Sequence, residues 1–304
     1  MDAFTLPRQA VHLSFDPGPY RMAMGLVATD PAELIELDER YPEEMAERRR
    51  LLAVRHGDVF AALPGSEDAR QEVLDVLAEL LPRRFPEWFA REGGVLHNRL
   101  TGESWTLDAL PHDPLEVAGR LVQEDLCLLR LTELGPVLDA AVLCFPSRWS
   151  LAEKLGQPLA TIHTRVPFYG EKLAKPVDRL MPNLRPGKMV VRLNWGITDD
   201  PALYAESRKF RREHNAEVTA ANAGERIWLR VERQTLRLLE RSGAVLFGIR
   251  THLYPVGLLA GDRQVAADLA AALRGLPAEM ALYKSLPPFR EALLAYLDTK
   301  AEAA

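Results

Sequence analysis

Five β-prone runs in the second half of the chain constrain the fold more than any other feature of the sequence. They cover Leu126–Leu131, Val137–Phe145, Met189–Trp195, Arg226–Glu232 and Ala244–Leu253. The first two are separated only by the residues from Thr132 to Pro136, a spacer that is typical of a β-hairpin. Because the runs do not alternate regularly with helices, the sequence predicts an α+β fold with an antiparallel sheet rather than a doubly wound parallel sheet.

Helical periodicity dominates the sequence before and after the residues of this predicted sheet. Ser66–Leu81 has apolar residues at helical spacing, and we expect Pro82 to end that helix. Pro114–Glu124 is a second amphipathic segment. A helix is also predicted over Gln234–Arg241, between the last two strands, and the chain is again helical after Gly261.

Length and composition fit one globular domain. The 304 residues are 47% apolar and 27% charged, which is typical of a protein with a sizeable hydrophobic core. No internal repeat, low-complexity segment or linker is visible, so the sequence predicts a single domain over residues 1–304. Within it, a helix-rich extension covers about 1–120, the sheet core about 121–260 and the C-terminal helices about 261–304.

Charge and cysteine content limit the expected partners. The net charge is −5, and the basic runs Arg48–Arg50 and Arg208–Arg212 have acidic neighbours at helical spacing, so nucleic acid is not an expected partner. The two cysteines, Cys127 and Cys144, are too few for a four-thiolate cluster and are expected to be reduced core residues. No run of 18 apolar residues and no signal-peptide pattern is present, so we expect a cytoplasmic protein that does not contact membranes.

Polar side chains on the predicted strands are the main candidates for a site. The common fingerprints of dinucleotide cofactors, P-loops, nucleophile elbows and zinc hydrolases are absent from the sequence. Alternation places the following pairs on one face of their own strand: Arg192 with Asn194, Arg230 with Glu232, and Arg250 with His252. Such residues form either the solvated face of an antiparallel sheet or the wall of a polar ligand site.

His163 differs from the other histidines in its surroundings. It lies in an apolar stretch just before a predicted helix at Glu171–Met181. Polar or turn-rich segments, which are typical of surface imidazoles, contain His12, His56, His97, His112 and His214. Taken alone, a histidine in an apolar stretch is more often a hydrogen-bonded core residue than an iron or zinc ligand.

One long segment is distinctive enough to suggest a family. Phe145–His163 resembles the haem-binding α subunit of haem-dependent oxidative N-demethylase, which is also called dimethylamine monooxygenase. The same resemblance recurs in Phe60–Ser66, Val122–Leu129, Val191–Trp195, Val231–Leu236 and Phe247–Thr251. Together these blocks extend the resemblance from about Ala23 to Val256, which is most of the chain.

The resemblance implies a cofactor, a reaction and partners. The implied fold is a PAS-like antiparallel sheet that has helices packed on one side and binds haem b. The implied reaction is reductive activation of O₂ on the haem iron, oxidation of a small secondary amine to an iminium, and release of formaldehyde or its folate adduct. Electrons would come from NADPH through a separate reductase subunit with flavin and a [2Fe–2S] centre, and a folate-binding subunit is a further candidate partner. Two cysteines are too few to ligate such a cluster, which fits this division of roles.

Residues within the resembling blocks are expected to form the site. His163 is the expected axial ligand of the haem iron, because it is the histidine inside a matching block and neutral imidazole is a standard haem ligand. Arg192 is expected to contact either bound O₂ or a haem propionate. Glu232 is expected to hold the substrate ammonium group, and its alternative is a salt bridge with Arg230 or Arg250. Arg250 is also predicted to be catalytic with Arg192 and Glu232. The rest of the expected pocket wall consists of Asn194, Trp195 and Arg233.

Two residues depart from the expected family pattern. Arg165 replaces an expected proline, and His252 replaces an expected aromatic residue, usually tyrosine. His252 shares a strand face with Arg250, so it is predicted to approach the haem, either as a second axial ligand or as an acid–base group. A bis-histidine haem would favour an alternative function, a haem-based PAS sensor of gas or redox state without turnover. A haem-free relative that keeps only the fold is a third alternative.

Overall fold

The β-prone runs form long strands of one antiparallel sheet in the computed structural model, which describes residues 6–206 and 210–303. Arg208 and the first five residues, on which part of the charge and signal-peptide predictions depend, lie outside the described residues. The strands are β1 (Val27–Thr29), β2 (Phe60–Ala62), β3 (Phe89–Glu92), β4 (Val95–Asn98), β5 (Glu103–Thr106), β6 (Asp125–Thr132), β7 (Gly135–Val142), β8 (Met189–Thr198), β9 (Trp228–Leu238) and β10 (Val245–Pro255).

The strands belong to two sheets. The large sheet has seven strands in the order β1-β8-β9-β10-β6-β7-β2, and every neighbouring pair is antiparallel. The small sheet has the order β3-β4-β5. The prediction of an α+β fold with an antiparallel sheet is confirmed.

Helices surround the large sheet on both faces. They are α1 (Tyr41–Val54), α2 (His56–Val59), α3 (Glu67–Arg84), α4 (Pro114–Gly119), α5 (Leu159–Ile162), α6 (Tyr169–Lys172), α7 (Ala174–Leu180), α8 (Ala223–Arg226), α9 (Val256–Leu259), α10 (Arg263–Gly275), α11 (Ala278–Tyr283) and α12 (Arg290–Glu302). Short 3-10 turns cover Pro31–Leu34 and Met181–Asn183. Among the described residues, no helix is long and apolar enough to span a membrane.

The predicted helix over Gln234–Arg241 is wrong. Strand β9 continues to Leu238 and turns directly into β10, and the Leu239 amide donates to the Ala244 carbonyl at 2.8 Å. Pairing on both sides, with β8 and with β10, stabilises the strand more than the local helical propensity of this stretch. Gly243 takes a φ of 70°, a conformation that favours glycine in a tight turn.

Two predicted helix ends also differ from the structure. Helix α3 continues through Pro82 to Arg84, because a proline in the last turn removes a single N–H and the Phe85 amide still donates to the Leu81 carbonyl at 2.8 Å. Helix α4 ends at Gly119 rather than near residue 124. Gly119 lies so close to β7 that an added Cβ would be 2.6 Å from a methyl carbon of Val142.

The large sheet has two faces with different coverage, which we call face A and face B. The register places these buried apolar residues on face A: Cys127, Leu129, Leu236, Val245 and Ile249. The corresponding residues on face B are Leu126, Leu128, Leu229, Val231 and Leu246. Face B packs against α1, α3, α10 and α12, whereas face A packs against α5 and α7 near β6 and β7. On face A the β8 end of the sheet is half-exposed, from Val190 to Gly196.

Both cysteines are buried and form no disulfide, as predicted. Cys127 lies on face A, and Cys144 lies just after β7 against the core of face B. Burial raises the pKa of both thiols, that of Cys144 to about 12. Both thiols therefore stay protonated and unreactive at neutral pH.

Candidate functional site

Face A presents four polar side chains where β8 and β9 run side by side, and we call them the β8–β9 polar patch: Arg192, Asn194, Glu232 and Gln234. Asn194 lies opposite Glu232 in the register, and Arg192 lies opposite Gln234. The amide nitrogens of Asn194 and Gln234 both donate to Glu232 Oε2, at 3.3 and 2.8 Å. The two amides therefore orient a carboxylate that is 9% exposed.

Glu232 has no salt bridge within the described part of the chain, that is, no basic nitrogen within 4.0 Å. Arg230 donates instead to the carbonyl oxygens of Phe145 and Leu203. Arg250 lies on the other face of the sheet. The positive charges of Arg192 and Arg230 act on Glu232 only at longer range. The alternative of a strand salt bridge is therefore not observed, and the carboxylate retains the capacity to pair with a ligand.

Arg192 supplies unused hydrogen-bonding capacity to the same patch. Among the described residues its Nε is buried and has no hydrogen-bond partner. Burial lowers the pKa of this guanidinium, and the nearby Glu232, Tyr20 and Tyr169 oppose that shift. A buried N–H donor without a partner is costly, so this geometry suits an anion or a polar ligand atom that would accept from Arg192.

His163 lies over face A, directly after α5. Leu159 and Ile162 of α5 pack against the apolar cluster of that face. His163 Nδ1 lies 2.7 Å from the Leu159 carbonyl oxygen. Because a carbonyl can only accept, Nδ1 carries the proton, and Nε2 is the nitrogen with the lone pair. The ring stacks on Tyr169 with centroids 4.5 Å apart and planes 13° apart, which fixes its orientation.

Tyr169 connects this imidazole to the polar patch. It is buried, and its pKa is raised to about 12 by burial and by Asp178, while Arg192 lowers it. Its ring contacts His163, and the charge of Arg192 acts on its hydroxyl. The fold thus brings His163 and Arg192 to the same face, where both interact with Tyr169.

Two cations from distant segments cover the open edge of β8, and sequence analysis missed both. Lys284, just after α11, donates to the Trp195 carbonyl and lies 5.0 Å from the Trp195 ring centroid. Arg148 donates to the Ile197 carbonyl at 3.1 Å and to the Lys284 carbonyl at 2.6 Å. Burial lowers the pKa of Lys284 to about 8, with Glu232 opposing the shift. No local pattern marks Lys284, because it reaches the strand only through tertiary packing.

Four of the predicted wall residues lie on face B instead. The register places Trp195 opposite Val231, and it places His252, Arg250 and Arg233 on the same side of the sheet. The expectation that the polar residues of all three strands share one pocket is therefore wrong. The alternation of side chains along a strand correctly predicted which residues of one strand share a face. The pairing of β10 with β9, however, places Arg250 and His252 on the opposite face from Glu232. His252 is 1% exposed on that opposite face, so it does not approach His163.

Arg250 is the centre of a buried ionic network on face B. Its guanidinium donates to Glu44 at 2.8 Å and to Asp38 at 2.6 Å. Gln123 donates to the same two carboxylates, at 2.7 and 3.1 Å. Burial would lower the pKa of Arg250, but the charges of Glu44 and Asp38 raise it. Two of the sequence blocks that carry the family resemblance, Val122–Leu129 and Phe247–Thr251, thus meet in this structural network rather than in the β8–β9 polar patch.

The side chains over face A fit a haem in their chemistry. His163 offers an imidazole in the tautomer that ligates iron through Nε2, and Arg192 offers a donor for a propionate or an oxygen ligand. Partly buried apolar side chains, including Phe247 and Val190, lie on the same face. Two open pockets of about 530 and 410 Å³ lie elsewhere, one beside Tyr296 and one beside Glu72, and no histidine lines either of them.

A comparison with known families covers the segment that contains these residues. A family model described as haem-dependent oxidative N-demethylase, alpha subunit-like, matches residues 25–294. That range contains all ten strands, His163 and the whole β8–β9 polar patch. The description names haem dependence and oxidative N-demethylation, an oxidoreductase activity, and it confirms the family predicted from the sequence blocks. The chain therefore belongs to the haem-dependent oxidative N-demethylase alpha subunit-like family.

Proposed function

We propose that this chain is the haem-binding subunit of an oxidative N-demethylase for a small secondary amine such as dimethylamine. The products are a primary amine and formaldehyde. One O₂, two electrons and two protons are consumed, and the oxygen atoms leave in formaldehyde and in water. Haem b, when bound, supplies the activation of O₂. The electrons come from NADPH through a separate subunit with flavin and a [2Fe–2S] centre, and a folate-binding subunit is a candidate acceptor of the formaldehyde.

The observation that carries this proposal is the contact of His163 Nδ1 with the Leu159 carbonyl, on the same face as Arg192. The bond from Nδ1 to the Leu159 carbonyl leaves the lone pair on Nε2, and a hydrogen bond of this kind is the usual support of a metal-bound imidazole. Arg192 has a buried donor without a partner in the described structure. A PAS-like core is part of the proposal, and the antiparallel sheet supports it, although helices pack on both faces of this sheet rather than on one.

Glu232 is the proposed anchor of the substrate. A protonated amine that leaves water needs an anionic partner, and Glu232 has no ion-pair partner among the described residues. Asn194 and Gln234 hold Oε2 in place, so the carboxylate is preorganised before the amine binds. Arg192 is the proposed partner of an oxygen species or a haem propionate.

Replacing His163 tests the proposal most directly. We expect His163→Gly to lose the Soret band of bound haem, and added imidazole to restore it by occupying the space of the missing side chain. The matched control is His214→Gly, because His214 is exposed. It should keep the haem content of the wild type.

Three spectroscopic outcomes separate the alternatives. A wild-type Soret band in His163→Gly without imidazole would contradict the assignment of the ligand. A haem protein that binds CO, but shows neither an amine-induced Soret shift nor formaldehyde release with a reductant, would support the gas or redox sensor instead. If the wild type does not bind haem, the result would support the third alternative, a haem-free relative that keeps only the fold of the family.

A further inference from the structure

Two histidines and a glutamate meet on face B, far along the chain from one another. His12 belongs to the N-terminal segment, Glu36 follows the first 3-10 turn, and His252 lies in β10. We call them the His–Glu–His triad. The Nε2 atoms of His12 and His252 each lie 3.1 Å from Glu36 Oε2, and the three ligand atoms all lie within 4.8 Å of one another.

These distances fit the coordination sphere of a metal ion. Zinc binds imidazole nitrogen and carboxylate oxygen at about 2.0–2.1 Å, so neighbouring ligand atoms of a tetrahedral site are about 3.3 Å apart. Two of the three separations in the triad are already close to that value. The two rings are tilted by 52° with centroids 4.8 Å apart, so neither ring blocks the other Nε2. Both contacts are hydrogen bonds in which Nε2–H donates to the carboxylate, so a metal would replace these two protons. A small rotation of the rings would then bring all three atoms to one centre.

The residues around the triad provide the support that metal ligands usually have. Arg233 Nε lies 3.0 Å from Glu36 Oε1, which leaves Oε2 directed at the imidazoles. Asp38 Oδ2 lies 4.0 Å from His252 Nδ1. The Gln9 amide nitrogen lies 3.2 Å from the same Nδ1 and donates to it, so the Gln9 amide would have to turn its oxygen towards Nδ1 when a metal binds Nε2. Metal-bound histidines commonly donate their other N–H to such a carboxylate or carbonyl oxygen.

We propose that the His–Glu–His triad binds one divalent transition-metal ion, with zinc as the probe and water in the fourth position. Imidazole and carboxylate ligands suit the metals from iron to zinc. The ion would join the N-terminal segment and the residues after the first 3-10 turn to the central strand β10. The site lies on the opposite face from His163, and it does not depend on haem chemistry.

A second histidine–carboxylate group in the same molecule provides a matched control. His56 and His112 contact different oxygens of Glu116, at 2.8 and 3.4 Å, and Arg120 occupies one of those oxygens at 2.8 Å. Both imidazoles are exposed by about half, and the carboxylate is already neutralised. This group therefore lacks the convergence of three ligand atoms that the triad has.

The test is zinc binding to the purified full-length protein after dialysis against a chelator. Zinc per chain is measured by elemental mass spectrometry under chelator competition, and the melting temperature is measured with and without zinc. We expect one zinc per chain and a rise of several degrees in the wild type. His12→Gln and His252→Gln should each lower the zinc affinity about 100-fold or more and abolish the rise. His112→Gln should bind zinc as the wild type does.

The variants also define what would overturn the proposal. His252 is buried and its substitution can unfold the protein, so His12→Gln, at a side chain that is 20% exposed, is the deciding variant. Wild-type zinc affinity in a folded His12→Gln protein would overturn the site. An equal loss in His112→Gln would assign the zinc to unspecific surface histidines, and no bound zinc in the wild type would identify the triad as a hydrogen-bonded cluster only.

Discussion

The two faces of the large sheet use the same kinds of residue in different ways. On face B, the arginine at the centre has two carboxylates within hydrogen-bond distance and is fully buried. On face A, neither Arg192 nor Glu232 has a salt bridge among the described residues. Paired charges stabilise the fold, whereas charges without a direct counter-ion on a half-exposed face are where a charged ligand gains most. Ion pairing therefore distinguishes the two faces better than residue type.

The largest expected effect is on stability, at the centre of face B. Arg250→Met removes the cation between Asp38 and Glu44 and leaves both carboxylates buried, which should lower the free energy of unfolding by about 3–5 kcal/mol. On face A, Arg192 has no carboxylate in direct contact, so Arg192→Met leaves none unpaired. It should therefore change the free energy of unfolding by less than about 1 kcal/mol. Urea denaturation of both variants measures the difference. Equal losses would show that the two arginines have the same structural role.

The next effect is on ligand binding, and it rests on the proposed function. Glu232→Gln keeps the shape and the hydrogen-bonding capacity of the side chain but removes its charge. Losing a charge-assisted contact in a desolvated site should weaken amine binding by about 2–4 kcal/mol, or roughly 30- to 1,000-fold. The amine-induced Soret shift gives the affinity. Glu240→Gln, at an exposed acid of the β9–β10 turn, is the control.

Haem content is the second readout of this experiment. It should stay at the wild-type level in Glu232→Gln, since His163 is the proposed ligand. An unchanged amine affinity together with normal haem content would place the amine anchor at another residue.

A pH-dependent effect contrasts Lys284 with Arg250. Both cations are buried, but no carboxylate lies within 4.0 Å of Lys284 in the described structure, and its pKa falls from 10.5 to about 8. Above pH 10.5 the lysine is neutral in the folded and unfolded states, and below pH 8 it is charged in both. The wild type should therefore gain up to about 3 kcal/mol of stability as the pH rises from 8 to 10.5.

Lys284→Met removes this gain and serves as the reference. Tyrosines whose pKa is raised to about 12 by burial, such as Tyr169 and Tyr283, destabilise both proteins above pH 10, and their effect cancels in the difference. Urea denaturation at pH 8, 9 and 10 measures that difference. A constant difference between the two proteins over this range would contradict the lowered pKa of Lys284.

The smallest expected effect is on the turn between β9 and β10, which determines the register of these two strands and therefore which residues lie on each face. Gly243 has a φ of 70°, and an added Cβ would meet no atom within 4 Å, so Gly243→Ala changes only the backbone preference. Because the observed hairpin needs this left-handed conformation, Gly243→Ala should destabilise the protein by about 1–2 kcal/mol. Gly243→Asn should cost less, because asparagine tolerates this conformation. Stabilisation by alanine would instead favour the helix that the sequence predicts here.

Local patterns predicted the strands well but not their mutual orientation. The β6–β7 hairpin and the C-terminal helices follow from apolar periodicity and turn residues. Alternation also grouped Arg192 with Asn194 and Arg250 with His252 correctly. It could not show that the two groups lie on opposite faces, because that depends on the length of the turn between β9 and β10.

The prediction of a helix over Gln234–Arg241 concealed one member of the site. As a strand residue, Gln234 lies two positions from Glu232 and therefore on the same face, so the alternation rule would have found it. Lys284 could not be found in this way, since it approaches Trp195 only after the C-terminal helices fold back around the sheet. His163 was identified from the family resemblance, and its tautomer is visible only in the structure.

The covered edge of β8 has a consequence for solubility. Within residues 6–206 and 210–303, β1 pairs with β8 only from Met189 to Val191, so the backbone of β8 beyond Val191 is a sheet edge that another chain could extend. Lys284 and Arg148 occupy the Trp195 and Ile197 carbonyls of that edge. Acetylation or carbamylation of Lys284 would remove the ammonium donor from the Trp195 carbonyl and weaken this protection against intermolecular strand pairing, with Arg148 still on the Ile197 carbonyl. Because Glu232 acts on the charge of Lys284, the same chemical ageing would disturb the candidate site and the solubility of the protein together.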